Sequence, residues 1–317
     1  MPISPGSPPL AEVDVVGVGA NTIDLVATVD GYPSPDSKQP LISLSEHPGG
    51  EVATALVACS RLGWKARYLG CYGNDDRGNY ALASLASEEV DVSSCGQRSA
   101  PERLSLIIVD GSGRRTVLSK AASELDMHPG ELDEQLVGSG RVLLVDCHQM
   151  LAATRAARLA RRARVPTVID VDELRPGLND LLAEIDVIIT SETFPECFSG
   201  VTGIGAALTE LAREFRPAVT CVTLGSEGCL AIVGNQEIFM PGFEVSAVDT
   251  TGAGDAFRGG FISAWLGNVS SDSVEELLIY ANAVAAMQTR SLGAWAGLPT
   301  SAEVNRFLKE RTPKRRG

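Results

Sequence analysis

From Arg141 to Val233 the chain alternates between short, continuously apolar runs and longer segments whose apolar residues recur at helical spacing. RVLLVDC, PTVIDVD and DVIIT read as strands, while LAATRAARLARRAR, LNDLLAEI and GAALTELAREF read as helices. AVTCVTLGSEGCLAIV adds two strands around a glycine turn, and Val13 to Val18 supplies a first central strand. Strands that are apolar on both faces need cover on both sides, and strands separated by helices pair in parallel. The expected fold class is therefore α/β, a three-layer αβα sandwich about a mostly parallel central sheet. A chain of 317 residues can form one such large domain or two smaller ones.

The chemistry is concentrated in Asp249 to Gly260, DTTGAGDAFRGG. FEVSAVD leads into it with extended character, and AFRGGFISAWL leaves it with apolar residues at helical spacing. Thr250 and Thr251 are suited to cap that helix, and Gly252 and Gly254 allow a tight turn at its start. Free amides at the positive end of a helix dipole form a site for an anion. Asp255 sits beside that site, where a carboxylate can take a proton from whatever attacks a bound phosphate. The same string also fits a plain glycine-rich turn with Asp255 as a first-turn acid.

Upstream, GVGANT resembles a dinucleotide fingerprint, but Thr22 replaces the third glycine and LVATVDGYP continues in extended form. DGYPSPDS is a turn, and Leu41 to Leu44 a short strand. Gly49 and Gly50 open a helix with Val52, Leu56, Cys59 and Leu62 on its apolar face, and Gly63 ends it. Tyr68 to Tyr72 is a strand, and Asn74 to Arg77 leads into the next helix. Glu102–Val109 and Arg114–Ser119 flank DGSG as a hairpin. Leu104, Leu106 and Ile108 lie on one face of it, Ser105, Ile107 and Val109 on the other. With both faces largely apolar, one can close over a substrate and the other, carrying Ile107, against a second subunit. Burial within one chain is the alternative.

Two strings carry a family resemblance. DTTGAGDAF resembles the C-terminal signature of the ribokinase-like (PfkB) carbohydrate kinases. GG, a helix, RLG, a strand and G-x-D-x-x-G, in that order, resemble the N-terminal signature of the same family. The resemblance covers almost the whole chain. It implies one ribokinase-like domain over 1–317 with a small β-sheet lid from segments 25–46 and 99–121, and an ATP- and Mg²⁺-dependent sugar kinase. Asp255 would be the catalytic base, and the amides of Gly252, Ala253 and Gly254 the anion hole. Asp24, Gly49, Gly50 and Thr54 would hold the sugar. Ser191, Thr223, Gly225, Gly228, Asn282 and Ala283 would hold the nucleotide, with Gly293 also matching the adenine segment. Asp249 and the loop from Arg290 to Gly293 match a monovalent cation site, which brings in K⁺.

The family's Asn-x-x-Glu is here Ser191 and Phe194, so Glu192 is the residue left to support Mg²⁺ through water. VDGYPSPDS is similar to ketohexokinases and GG-x-x-ATA to sulfofructose kinases, which favours a ketose-type sugar. A nucleoside kinase of the same fold, or a sugar-binding protein without catalysis, are the other readings. No GK dipeptide occurs, so a P-loop is excluded, and Arg175 and Arg258 are the candidates for touching phosphate.

Net charge is −13, and without the basic last nine residues the body carries −17, which repels nucleic acid. No apolar run reaches the length of a membrane span, and MPISPGSPPLAE has the composition of a loose lead rather than a secretory signal. Seven Cys residues without a CxxC pair suit free thiols in a cytoplasm, and His47, His128 and His148 show no metal-site spacing. The expected partners are a small sugar, ATP and a second copy of the chain through the lid.

Overall fold

The computed structural model describes residues 11–111, 114–120, 122–267 and 273–311. Most of the N-terminal lead, the basic tail beyond Arg311, the tip of the DGSG turn and the end of the second lid segment lie outside these residues.

The central sheet has eight strands in the order Gln236–Pro241, Gly228–Val233, Val219–Thr223, Val187–Thr190, Thr167–Val171, Val142–Asp146, Val15–Val18 and Ala66–Leu69. The strands from Val219–Thr223 to Ala66–Leu69 pair in parallel, and the first two are antiparallel additions at one edge. Successive side chains of a strand point to opposite faces. Val15, Val142, Leu144, Val168 and Ile189 accordingly pack on one side, against helices Glu51–Arg61, Ala253–Leu266 and Val274–Gln288. Val16, Leu143, Val145, Ile169 and Ile188 pack on the other, against Met150–Ala163 and Leu178–Leu182. This is the three-layer arrangement expected from runs such as VLLVD, every residue of which is buried.

A separate four-stranded sheet has the order Ser43–Gly49, Thr22–Thr28, Leu104–Val109 and Arg115–Lys120. All six residues of the last strand, at its edge, are exposed. Several local expectations change here. Asp24 lies inside the strand Thr22–Thr28 of the small sheet. The strand expected at 41–44 runs from Ser43 to Gly49, so Gly49 is its last residue. The strand expected at 68–72 breaks at Gly70, and Cys71–Gly73 pairs instead with Gly96–Arg98.

The hairpin has one wet face, not two equivalent ones. Ile107 is only 2 % exposed and packs with Val26, Val109 and Leu292, so it faces inward and cannot form an outer surface. The outer face carries Leu25, Leu106, Ile108, Leu118 and Leu44, with Leu118 and Leu44 more than half exposed.

Candidate active site

A cleft of about 1140 Å³ opens at the C-terminal ends of the parallel strands, between the central sheet and the small one. Open α/β sheets bind ligands there, because helix N-termini and strand-end loops converge on that edge. Its floor is the Thr250–Asp255 turn. Gly252 has φ +75, and a Cβ on it would lie 2.7 Å from the Ala294 carbonyl, so both conformation and space require glycine. The expected threonine cap is absent: Gly252 occupies the cap position, and the Thr251 hydroxyl donates instead to Asp249 at 2.7 Å. The Ala253 amide donates to the Thr250 carbonyl at 3.2 Å. The amides of Gly252, Gly254 and Asp255 have no partner among the described residues, so they are the donors this turn can offer an anion.

Asp255 is half-buried on the cleft wall, beside Asp170. Burial first, then the charge of Glu51, raises its carboxyl well above the usual range. Arg258, a hydrogen bond with Asp170 and the charge of Arg115 act in the opposite direction. Arg258 itself is 4 % exposed, pairs with Asp170 at 2.5 Å and donates to the Ile189 carbonyl. It therefore compensates the buried acids and is not a free phosphate ligand.

At the small-sheet end, Asp24 is 5 % exposed and accepts a hydrogen bond from the Thr22 hydroxyl at 3.1 Å. Burial pushes its carboxyl up to about 6, Thr22 and Arg115 lower it, and Asp249 raises it. A Cβ on Gly49 would fall 2.1 Å from Asp24 Oδ2, so glycine is needed for the carboxylate to lie flat on the backbone. Gly50 has φ +96, and its backbone passes close to the Ala20 carbonyl. Thr54 does not reach the cleft: it is fully buried, and its hydroxyl accepts from the Trp295 indole at 2.9 Å. It is withdrawn from the sugar-holding set.

At the other end, Ser191, Glu192, Thr223, Gly225 and Asn282 line the cleft. Asn282 donates to the carbonyls of Met240 and Pro241, which fixes the edge strand beside the opening. Ala283 is fully buried on the opposite side of its helix, and Ala285, Ala286 and Thr289 take the lining role expected of it. Gly228 is also behind the wall; its φ of +110 turns the chain where a Cβ would meet the Met240 carbonyl. Asp249 lies beneath the turn, fully buried, accepting from Thr251 and from the Gly293 amide at 2.8 Å.

The sequence reading missed a network on the remaining wall. The Arg175 guanidinium donates to His148 Nδ1 at 3.1 Å, which leaves the ring proton on Nε2, and Nε2 donates to Glu51 Oε1 at 3.0 Å. That geometry fits a neutral imidazole, although burial, which lowers its basicity, is outweighed by the charge and hydrogen bond of Glu51, which raise it. Arg175 also pairs with Glu173 at 2.7 Å. Glu51 reads in sequence as an ordinary first-turn acid and His148 as an isolated histidine, so neither carried a signal.

A strand-end cleft with a glycine turn, free amides and a raised carboxyl beside them is suited to a phosphotransferase acting on a hydroxyl acceptor. The chain belongs to the pfkB family of carbohydrate kinases, whose pattern matches residues 13–301. It is 30 % identical to an ATP-dependent ribose-1-phosphate kinase from Halopiger xanaduensis, over 94 % of this chain and 99 % of the relative. It is 29 % identical to fructokinase-1 of Zea mays, over 93 % and 98 % of the two chains. Among solved structures, Arabidopsis thaliana ribokinase complexed with ribose and ATP superposes with a TM-score of 0.80 at 22 % identity, covering 94 % of this chain and 99 % of that one. The protein is a sugar kinase of the ribokinase and fructokinase type, which phosphorylates a sugar at the expense of ATP.

Proposed function

We propose that Asp255 takes the proton from a hydroxyl of a small ketose-type sugar while that oxygen attacks the γ-phosphorus of ATP. The position of a raised carboxyl one residue past a glycine turn with unpaired amides carries this reading. Those amides would meet the equatorial phosphoryl oxygens. Asp24, backed by Gly49 and Gly50, would accept sugar hydroxyls. The small sheet, whose strands Thr22–Thr28 and Ser43–Gly49 extend beyond the expected segment 25–46, would act as a lid that excludes water. The strings VDGYPSPDS and GG-x-x-ATA, and the fructokinases among its relatives, support a ketose.

Mg²⁺ chemistry fits the wall near Ser191. Glu192 is an exposed carboxylate there with no ion pair among the described residues, suited to hold a hydrated hard cation. Bound Mg²⁺ would neutralise phosphate charge. A monovalent cation such as K⁺ is supported at Asp249: this fully buried carboxylate has no cationic partner among the described residues. Gln288, which donates to the Thr251 and Gly293 carbonyls of the same loops, leaves its buried Oε1 without a partner. The apolar outer face of the small sheet supports a homodimer of lid packed on lid. All seven cysteines are free, which supports a cytoplasmic setting.

A coupled assay of ADP release, run with ketoses, aldoses, sulfo-sugars, a phosphopentose and nucleosides, tests the substrate class. Ketose-dependent turnover with Mg²⁺ and ATP is expected. Turnover with adenosine alone would move the protein to the nucleoside kinases.

A further inference from the structure

The wall beside Asp255 holds more negative charge than a neutral sugar accounts for. Asp24 and Asp255 have their proposed tasks, and Arg258 offsets Asp170. Glu51 and Asp172 remain, and both line the cleft. Among the described residues neither pairs with an arginine or a lysine: Glu51 meets the His148 ring, and Asp172 accepts from the Cys147 thiol at 3.4 Å. Glu51 Oε2 is buried and has no hydrogen-bond partner at all. Burial, then the charge of Asp170, pushes the Glu51 carboxyl well above its usual range, with His148 acting in the opposite direction. A carboxylate held out of water in this way is costly until a counter-charge joins it.

The hydrogen bonds around His148 fix what kind of cation fits. Nδ1 accepts from Arg175, so Nε2 carries the ring proton and donates to Glu51 Oε1. A protonated Nε2 has no lone pair to give a metal ion. The ring is instead a prop that, with Arg175 behind it, holds Glu51 and leaves Oε2 to the cleft. Carboxylate oxygens of Glu51 and Asp172 and a His148 ring nitrogen lie within 4.8 Å of one another. An ammonium group can bridge two such oxygens, since its three donors diverge and each reaches about 2.8 Å. A neutral hydroxyl donates once and brings no charge, and a phosphate or sulfonate brings the wrong sign.

We propose that Glu51 and Asp172 form a specificity pocket for an ammonium group, so that the preferred acceptor is a sugar in which an amino group replaces one hydroxyl. The proposal rests on the sugar-kinase reading above and narrows its acceptor. Glu51 touches the amine through Oε2, while His148 and Arg175 are positioning residues that act through Glu51. After burial, the charge of Glu51 acts most strongly on Asp255, so the amine docks next to the hydroxyl that Asp255 deprotonates. The amine itself takes no phosphoryl group: held as a cation, it has no lone pair to attack phosphorus. The hydroxyl remains the nucleophile.

The test compares ADP release with fructosamine and glucosamine against their parents, fructose and glucose, at neutral pH. At least one amino sugar should exceed its parent in kcat/KM by on the order of 10–10²-fold, the worth of a charge-assisted pair. In Glu51→Gln the two should come within about threefold of each other, with the ATP KM close to wild type. Asp172→Asn should lower the ratio as well, which keeps the test standing if Glu51→Gln melts early. His148→Gln, which keeps a donor for Glu51, should hold most of the ratio, and His148→Ala should lose most of it. Parents turned over as well as their amino counterparts, or a ratio that survives both carboxylate variants, would overturn the assignment. So would a phosphopentose used in preference to either amino sugar. A wild type that turns over no sugar would instead defeat the sugar-kinase reading. Calorimetry with the two amino sugars on wild type and Glu51→Gln would then still decide whether the pocket takes an ammonium group.

Discussion

Gly49→Ala isolates the acceptor end of the cleft with one methyl group. The new Cβ would lie 2.1 Å from Asp24 Oδ2, 2.6 Å from Cγ and 2.9 Å from Oδ1, all well inside contact distance. Gly49 ends a strand paired along its length with Thr22–Thr28, so the backbone is held and the Asp24 carboxylate has to swing away. A displaced carboxylate loses two charge-assisted hydrogen bonds to sugar hydroxyls, each worth about 1.5 kcal/mol or more. Together they come to about 3 kcal/mol, or roughly a hundredfold in affinity. The acceptor KM should therefore rise about a hundredfold, with the ATP KM nearly unchanged. Asp24→Ala should have a similar effect. Because both changes act through one carboxylate, the double variant should be little worse than either single one. Both substrates are varied in the coupled ADP assay, with Tm as the check on folding. An acceptor KM within about threefold of wild type, or equal losses for sugar and ATP, would refute the placement of Asp24 against the acceptor.

The acid limb of kcat/KM should lie above the ordinary carboxylate range, with the rate rising as pH rises and Asp255 loses its proton. Glu51, Asp170, Arg258 and Arg115 face that group, and Glu51→Gln removes the largest like charge, so the limb should move to lower pH; an unmoved limb would detach it from Asp255. Replacing K⁺ by a bulky organic cation should slow turnover if Asp249 supports a monovalent ion, and an unchanged rate would remove that site. Leu118→Asp, on the exposed outer face of the small sheet, should shift a dimer toward monomer in light scattering. A wild type that is monomeric at tens of micromolar would end the lid-to-lid reading.

The central sheet was legible because its strands are buried on both faces and leave continuous apolar runs such as VLLVD and VIIT. The glycine turn was legible because Gly252 requires a left-handed backbone that few other residues accept. What failed was sidedness. Leu106 and Ile107 look equivalent in sequence, and only the pairing of Val26 with Ile107 in the small sheet decides which one is inside. Thr54 and Ala283 match family positions but sit one face away from the cleft, since helix rotation decides what a residue meets. Glu51, His148 and Arg175 come from three distant segments, and their convergence is a property of the fold alone. Arg258, expected on phosphate, is drawn inward by Asp170, because a buried carboxylate needs a counter-charge more than the open cleft does.

Asp255→Asn tests the central claim most directly, with turnover and ATP affinity measured on the same preparation. The amide keeps the size of the side chain but cannot accept the acceptor's proton as a carboxylate does. Turnover should fall by roughly 10²–10⁴-fold, with ATP binding by calorimetry and Tm close to wild type. Turnover within a few-fold of wild type would contradict the assignment of Asp255 as the base.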